Sequence, residues 1–228
     1  MRLYLNSDVG ERPDALRDGS EEELLRLLDW ANIACGGHAG DDESMAQVIG
    51  LCRTHGVEVG AHPGYPDRER FGREALDLAP EAISHFVFEQ VRALDAIGRA
   101  QGLPVHHVKP HGALYNQAAV DPAVAHAIAE GVRRWKPEAL LVGLAGSDML
   151  RVWQELGFAV APEIFADRRY EPDGSLRPRR FPDALIANPE EAAEQVRRRG
   201  AGAVTVCVHG DTPNAVAIAR AVRRSIAG

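Results

Sequence analysis

The chain has 228 residues, 45% of them hydrophobic and 26% charged, with a formal net charge of −7 and a pI near 5.7. That is the balance of an ordinary globular protein, long enough for one large domain. The acidic total excludes a general nucleic-acid binder, which needs a basic face to neutralise phosphates, but leaves room for a local cluster that holds one small anion.

No stretch approaches the roughly 20 apolar residues of a membrane span. The opening "MRLYLNSDVGE" lacks the apolar core of roughly 7–15 residues that a secretory signal needs. Cys35, Cys52 and Cys207 are odd in number and without CxxC spacing, so neither a disulfide framework nor a zinc ribbon is expected. The expectation is a soluble cytoplasmic protein that engages neither nucleic acid nor membrane.

In chain order, the first strand-like run is "RLYLN". Ser20 and Glu23 then read as a capping box ahead of the helical "EELLRLLDW". "ANIAC" and "VEVGA" are the second and third runs. Pro80 stands where a first helical residue would, ahead of "EAISHFVFEQVRALDAIGRAQ", and Gly102 is suited to close that helix. "PVHHVKP" is the fourth run, after which Asp121-Pro122 reads as N-cap and first helical position. "ALLVGLA" is the fifth, followed by "DMLRVWQEL" bracketed by Ser147 and Gly157. "FAVAPEI" is the sixth run. A long loop, "ADRRYEPDGSLRPRRFPDA", leads to a further run, "DALIAN", and to a helix opened by Asn188-Pro189. "AVTVCVHG" comes last, with Thr212-Pro213 opening the final helix. His55, His85 and His126 fall within helices and read as surface or packing residues.

Strands alternating with helices imply βαβ units and a parallel sheet. Seven or eight units without repeat or linker predict one domain, 1–228, built as a closed or nearly closed barrel, with a doubly wound open sheet as the competitor. No GxGxxG or GxxxxGK[ST] fingerprint follows the first strand, which weakens any Rossmann or P-loop assignment.

Ligands of parallel α/β architectures sit beyond the C-terminal ends of the strands. There the first strand delivers Asn6, Asp8 and Glu11, the second Asn32, Cys35 and His38, and the third His62. The fourth delivers His107, Lys109 and His111, the sixth Glu163 and Asp167, and the last His209 and Asp211. A structural scaffold has no need for so many titratable groups at one rim. Asp8, His38 and His62 form a set able to hold a divalent metal with an open position for water; the alternative is a set of hydrogen-bond partners for a polar substrate. Lys109 is one of only two lysines among 26 Lys and Arg residues, and lysine supplies a compact charge that arginine does not. His107, Lys109 and His111 share a side if the strand runs straight through Pro110, which turns His106 toward the surrounding helices. The loop bearing Arg168, Arg169, Arg177, Arg179 and Arg180 reads either as a solvated loop or as a lid whose guanidinium forks bind carboxylate or phosphate. "HGDTPNA" sets Gly210 and a helix N-terminus beside His209, an anion seat that Asp211 opposes unless a cation intervenes.

Six ordered blocks, "LNSDVGE", "ANIACGGHAGDDESM", "GAHPGYPDRERFGR", "HVKPHGALYN", "EIFADRRYEPDGSLRPR" and "CVHGDTPNAV", resemble those of the LamB/YcsF family from the first strand to the last helix. The family typically reads "NCDLGE" and "CGFHAGD" where this chain has "NSDVGE" and "CGGHAGD". Ser7 therefore offers no catalytic thiol, and Gly37 lacks the phenylalanine side chain. The resemblance implies a (β/α)7-type barrel similar to polysaccharide deacetylases and related metal-dependent hydrolases. It implies ATP-dependent hydrolysis of 5-oxoproline (pyroglutamate) to L-glutamate, in a complex with 5-oxoprolinase subunits B and C, with ATP bound here or by a partner. On that reading Lys109 stabilises charge, and Asp8, His62 and His111 act as base or ligands. Asn6, Asn32, Glu163, Arg168, Arg180, His209 and Asp211 then bind substrate or phosphate. The competing readings are a stand-alone metal-dependent deacetylase or amide hydrolase and a non-catalytic, substrate-binding component of the complex.

Overall fold

The computed structural model describes residues 2–226. Seven strands, β1 (Tyr4–Val9), β2 (Trp30–Ala34), β3 (Glu58–His62), β4 (His107–Val108), β5 (Leu140–Leu144), β6 (Ala159–Phe165) and β7 (Thr205–Cys207), pair in chain order. All pairings are parallel, and β7 returns to β1 with Asn6 opposite Cys207. That last ladder closes the barrel and disposes of the open-sheet alternative. The surrounding helices are α1 (Pro13–Asp18), α2 (Ser20–Leu25), α3 (Asp42–His55), α4 (Pro80–Ala100), α5 (Gly112–Ala118), α6 (Pro122–Trp135), α7 (Asp148–Glu155), α8 (Pro189–Arg199) and α9 (Ala215–Ile226). Among the described residues no helix is long and apolar enough to cross a membrane.

Strand alternation sorts the side chains into two environments. Leu5, Ile33, Val59, Val108, Leu141 and Val206 point outward into the large apolar layer beneath the helices. Inside, the N-terminal end of the barrel is closed by Trp30, Val142 and Ala161, with Tyr4, Leu140 and Val204 against them. Above that floor the interior turns polar: Asn6, Asn32, His107, Glu163 and Thr205 are at most 1% exposed. His107 fits because β3 offers Gly60 opposite it; a Cβ there would lie 2.1 Å from His107 Nε2. Only glycine permits that approach.

Several helix ends follow their sequence signals. Pro80, Pro122 and Pro189 open α4, α6 and α8, and the Asp121 and Asn188 side chains accept from first-turn amides. Others do not. The Ser20–Glu23 box does not form: Ser20 is already helical, Gly19 is the cap in left-handed conformation, and Ser20 N donates instead to Asp18 Oδ1. The helix stops at Leu25, and Trp30 belongs to β2. A capping box is present at Asp41 and Ser44, ahead of α3. "DALIAN" makes no strand. Ala184 and Ile186 bury their side chains, while backbone pairing is limited to one antiparallel bridge, Leu185 with Arg168. Thr212-Pro213 does not open α9, which begins at Ala215 after Asn214 in left-handed conformation; the Thr212 hydroxyl is spent on Asp167.

Candidate active site

A cavity of about 720 Å³ opens at the C-terminal end of the barrel. It is lined by Lys109, one residue past β4 and 2% exposed. Its ammonium donates to Asp8 Oδ1 at 3.0 Å and lies 3.1 Å from Glu163 Oε1 and 3.2 Å from Cys207 Sγ. The layer below holds this pair in place. Asn32 Nδ2 donates to Asp8 Oδ1 and Asn6 Oδ1, both at 2.8 Å, and Asn6 Nδ2 donates to Glu163 Oε1 at 2.9 Å. Because the Asn32 amide donates to Asp8, its oxygen is the acceptor for His107, whose Nε2 carries the proton across 2.8 Å. Tyr115, one turn into α5, donates its hydroxyl to Glu163 Oε2 at 2.9 Å. Asn6, Asn32 and Glu163 therefore sit beneath the cavity and grip Lys109 and Asp8.

Burial alone would raise the Asp8 carboxyl, but His62 and Lys109 outweigh it and hold it well below the usual range. Burial likewise works against the Lys109 ammonium, and Asp8 with Glu163 outweighs it, so the amine stays charged. Burial pushes the Cys207 thiol well up, which keeps it neutral beside the lysine.

A second cluster stands beside this pair. His62 Nδ1 contacts the Lys109 carbonyl at 2.7 Å, and His111 Nε2 the Phe71 carbonyl at 2.9 Å. Phe71 presents that carbonyl from a left-handed backbone, φ 57°, uncommon for a non-glycine residue. The inner nitrogens, His62 Nε2 and His111 Nδ1, are 3.1 Å apart. Glu11 Oε1 lies 3.1 Å from His111 Nδ1, 3.7 Å from His62 Nε2 and 2.9 Å from His38 Nε2. The His38 ring is stacked on His111, centroids 3.5 Å apart and 3° from parallel, and its Nδ1 has no partner. Burial drives His38 down to about 3 and lowers His111. It opposes His62 too, but Asp8 outweighs it there and raises that imidazole. The set Asp8, His38 and His62 is thus divided. Glu11, His38, His62 and His111 offer ligand atoms within 4.8 Å of one another, as do Asp8, Cys207 and His209 in a separate group.

His209 closes the opposite wall. Asp167 accepts from its backbone N–H at 3.0 Å and from its Nδ1 at 3.0 Å, which leaves Nε2 facing the cavity, 3.9 Å from Asp8 Oδ2. Asp211 does not confront the cavity as a free anion: Arg73 holds it at 2.5 Å and Arg179 at 3.0 Å. Arg168 borders the cavity at 5% exposure, donates Nη2 to the Arg177 carbonyl and leaves Nε without a partner. Burial, then Arg179, lowers that guanidinium to about 10. Arg180 is exposed at the rim, stacked over Phe181. The loop returns to the barrel through Gln195, whose amide donates to the Phe165, Ala166 and Arg168 carbonyls.

His106 departs from expectation. Its ring tilts against Trp30 of the barrel floor and Nδ1 lies 3.1 Å from His107 Nδ1, so it does not face the helices. Sequence reasoning placed Glu11 and Asp167 at strand ends without giving them a role, and missed Tyr115, Arg73 and Cys207. Tyr115 had one signal, its position four residues after His111 on the same helical face. The two departures from the family's usual motifs also have an explanation. Ser7 points away from the cavity on β1, its hydroxyl turned to the Asp8 carbonyl. At Gly37 a Cβ would lie 2.5 Å from Gln90 Oε1. Gln90 fills that space and bonds Gly64 through both its backbone N–H and its carbonyl.

The sequence profile of the LamB/YcsF family matches residues 3–228. The chain belongs to that family. Two LamB/YcsF relatives, each named as the A component of 5-oxoprolinase, come from Methylococcus capsulatus and Chloroflexus aggregans. The first is 48% identical over 239 residues, 99% of this chain and 92% of the relative. The second is 48% identical over 240 residues, 99% of this chain and 95% of the relative. The crystal structure of a lactam utilization protein from Thermus thermophilus superimposes with a TM-score of 0.89 at 39% identity, covering 100% of this chain and 96% of that one. The LamB/YcsF barrel extends over both.

Proposed function

We propose that this chain is the component of an ATP-dependent 5-oxoprolinase in which the lactam ring of 5-oxo-L-proline is opened to L-glutamate, working with subunits B and C. The observation that carries this is a buried Lys109 ammonium lining the cavity, clasped by Asp8 and Glu163, in a chain 48% identical to a protein named as the A component of 5-oxoprolinase. A lactam is a stabilised amide, so its carbonyl needs activation before water attacks. Transfer of the ATP γ-phosphoryl group to the lactam oxygen, with ADP leaving, turns the amide into an O-phosphorylated imidate. Water then adds to that carbon, the tetrahedral adduct expels the protonated ring nitrogen to leave γ-glutamyl phosphate, and a second water hydrolyses this acyl phosphate to L-glutamate and phosphate. ATP is bound here or by a partner.

The residues divide this work by position. Lys109 meets the charge that develops on the lactam oxygen, as a cation held in place by Asp8 and Glu163. The base is His209, held by Asp167 with Nε2 free toward the cavity, across from His62 and His111. A base so oriented takes the proton of the attacking water. Arg168 and Arg180 border the cavity where the substrate carboxylate or phosphate sits. The test is release of glutamate, ADP and phosphate from 5-oxoproline and ATP, by this chain alone and with B and C. Turnover on completing the trio, lost with Lys109→Met, supports the reading. A trio in which Lys109→Met retains wild-type turnover overturns it.

A further inference from the structure

We propose that Glu11, His62 and His111 bind a divalent transition-metal ion, with His38 holding the Glu11 carboxylate in place. The hydrogen bonds decide the tautomers. The carbonyls of Lys109 and Phe71 can only accept, so His62 Nδ1 and His111 Nε2 carry the hydrogens. In the neutral imidazoles that leaves His62 Nε2 and His111 Nδ1 as bare lone pairs 3.1 Å apart. A carboxylate oxygen of Glu11 lies 3.1 Å from one of them, and Asp8 Oδ2 lies 3.3 Å from the other.

Four electron-rich atoms converging in a buried space repel one another unless something positive lies among them. One proton does not suffice. Placed on His62 it leaves His111 Nδ1 facing Glu11 lone pair to lone pair, and placed on His111 it leaves His62 facing Asp8. A dication satisfies both contacts at once. Metal–nitrogen bonds of about 2.0–2.1 Å in tetrahedral geometry set two ligand nitrogens about 3.3 Å apart, close to the separation here.

His38 is not an equivalent ligand. Its ring lies parallel to His111 at 3.5 Å, its Nε2 aims at Glu11, and it does not border the cavity, whereas Glu11, His62 and His111 do. Two imidazoles and a carboxylate with an open position toward the cavity form the donor set of hydrolytic zinc sites. Imidazole selects Zn²⁺ or Co²⁺ over Mg²⁺ or Ca²⁺.

The experiment needs neither 5-oxoproline, ATP nor partners, so its outcome is separate from that of the oxoprolinase reading. The chelator-stripped chain is titrated with Zn²⁺ by calorimetry and with Co²⁺ followed by its visible d–d absorption. The expected result is one equivalent per chain, with affinity lower by about 100-fold or more in Glu11→Gln and His111→Gln. Cys207→Ser, in the neighbouring Asp8–Cys207–His209 group, keeps the wild-type affinity. Circular dichroism checks that each variant is folded, and the wild-type titration stands without them. No uptake by the stripped wild type overturns the proposal. So does undiminished uptake by folded His111→Gln, or loss of uptake with Cys207→Ser in place of His111→Gln.

Discussion

Lys109 is clasped by two carboxylates, so its removal strands two negative charges at less than 9% exposure. Breaking a buried pair in this way costs about 3–5 kcal/mol, a large share of a marginal stability. Lys109→Met is therefore expected to shift the urea midpoint downward as well as to abolish turnover. Lys109→Met combined with Glu163→Gln recovers part of the lost stability, because one stranded charge is gone, yet stays inactive. Urea unfolding of the single and double variants measures this, and strictly additive losses would contradict the coupling. Glu21 makes a different case. It is buried beneath the Gly10 amide, which it accepts at 2.9 Å, and burial raises its carboxyl from 4.5 to about 7. A raised acid binds more protons folded than unfolded, so its stabilisation is complete below pH 4.5 and is lost as pH rises through about 7. The span corresponds to about 3 kcal/mol. Glu21→Gln is expected to be more stable than the wild type at pH 8, with the advantage vanishing near pH 4.5 in thermal melts.

At the scale of elements, β4 is the thinnest part of the barrel wall. It joins β5 through two register pairs, where β5 and β6 share five. Fewer bonds protect that seam, and local opening follows the weakest contacts. Native-state hydrogen exchange is expected to release the amides that bond β5 to β4 before those that bond β5 to β6; the reverse order would refute this. The loop after β6 is pinned at its root by Gln195, which donates to three of its carbonyls, and farther along by Arg179 on Asp211. Gln195→Ala is expected to speed tryptic cleavage in the loop at Arg179 and Arg180 several-fold while leaving the barrel intact. The alternation of strands and helices was legible because Pro80, Asp121-Pro122 and Asn188-Pro189 write helix starts in local chemistry. "DALIAN" misled for a physical reason: alternating apolar residues report burial, and Ala184 and Ile186 are buried by a loop lying flat on the barrel. Thr212 misled similarly, since a hydroxyl that suits a cap also suits any nearby carboxylate, and Ser20 because Gly19 takes the cap position.

For the molecule as a whole, the rim of polar strand ends was readable because parallel strands all finish at one end. Which of those residues touch was not. Asn6 and Glu163 are separated by 157 positions in sequence yet share a 2.9 Å hydrogen bond, and no local pattern records such a pairing. The same holds for Glu11, whose place between three imidazoles depends on how β1 continues past Val9. Trp30, Val142 and Ala161 carry a last consequence. They seal the far end of the barrel, so the chamber is a dead end and whatever enters must back out by the way it came. Reaction traffic is then strictly in turn: a fresh molecule waits until the previous one has gone. L-Glutamate added to the assay is accordingly expected to compete with 5-oxoproline, raising the apparent KM and sparing kcat.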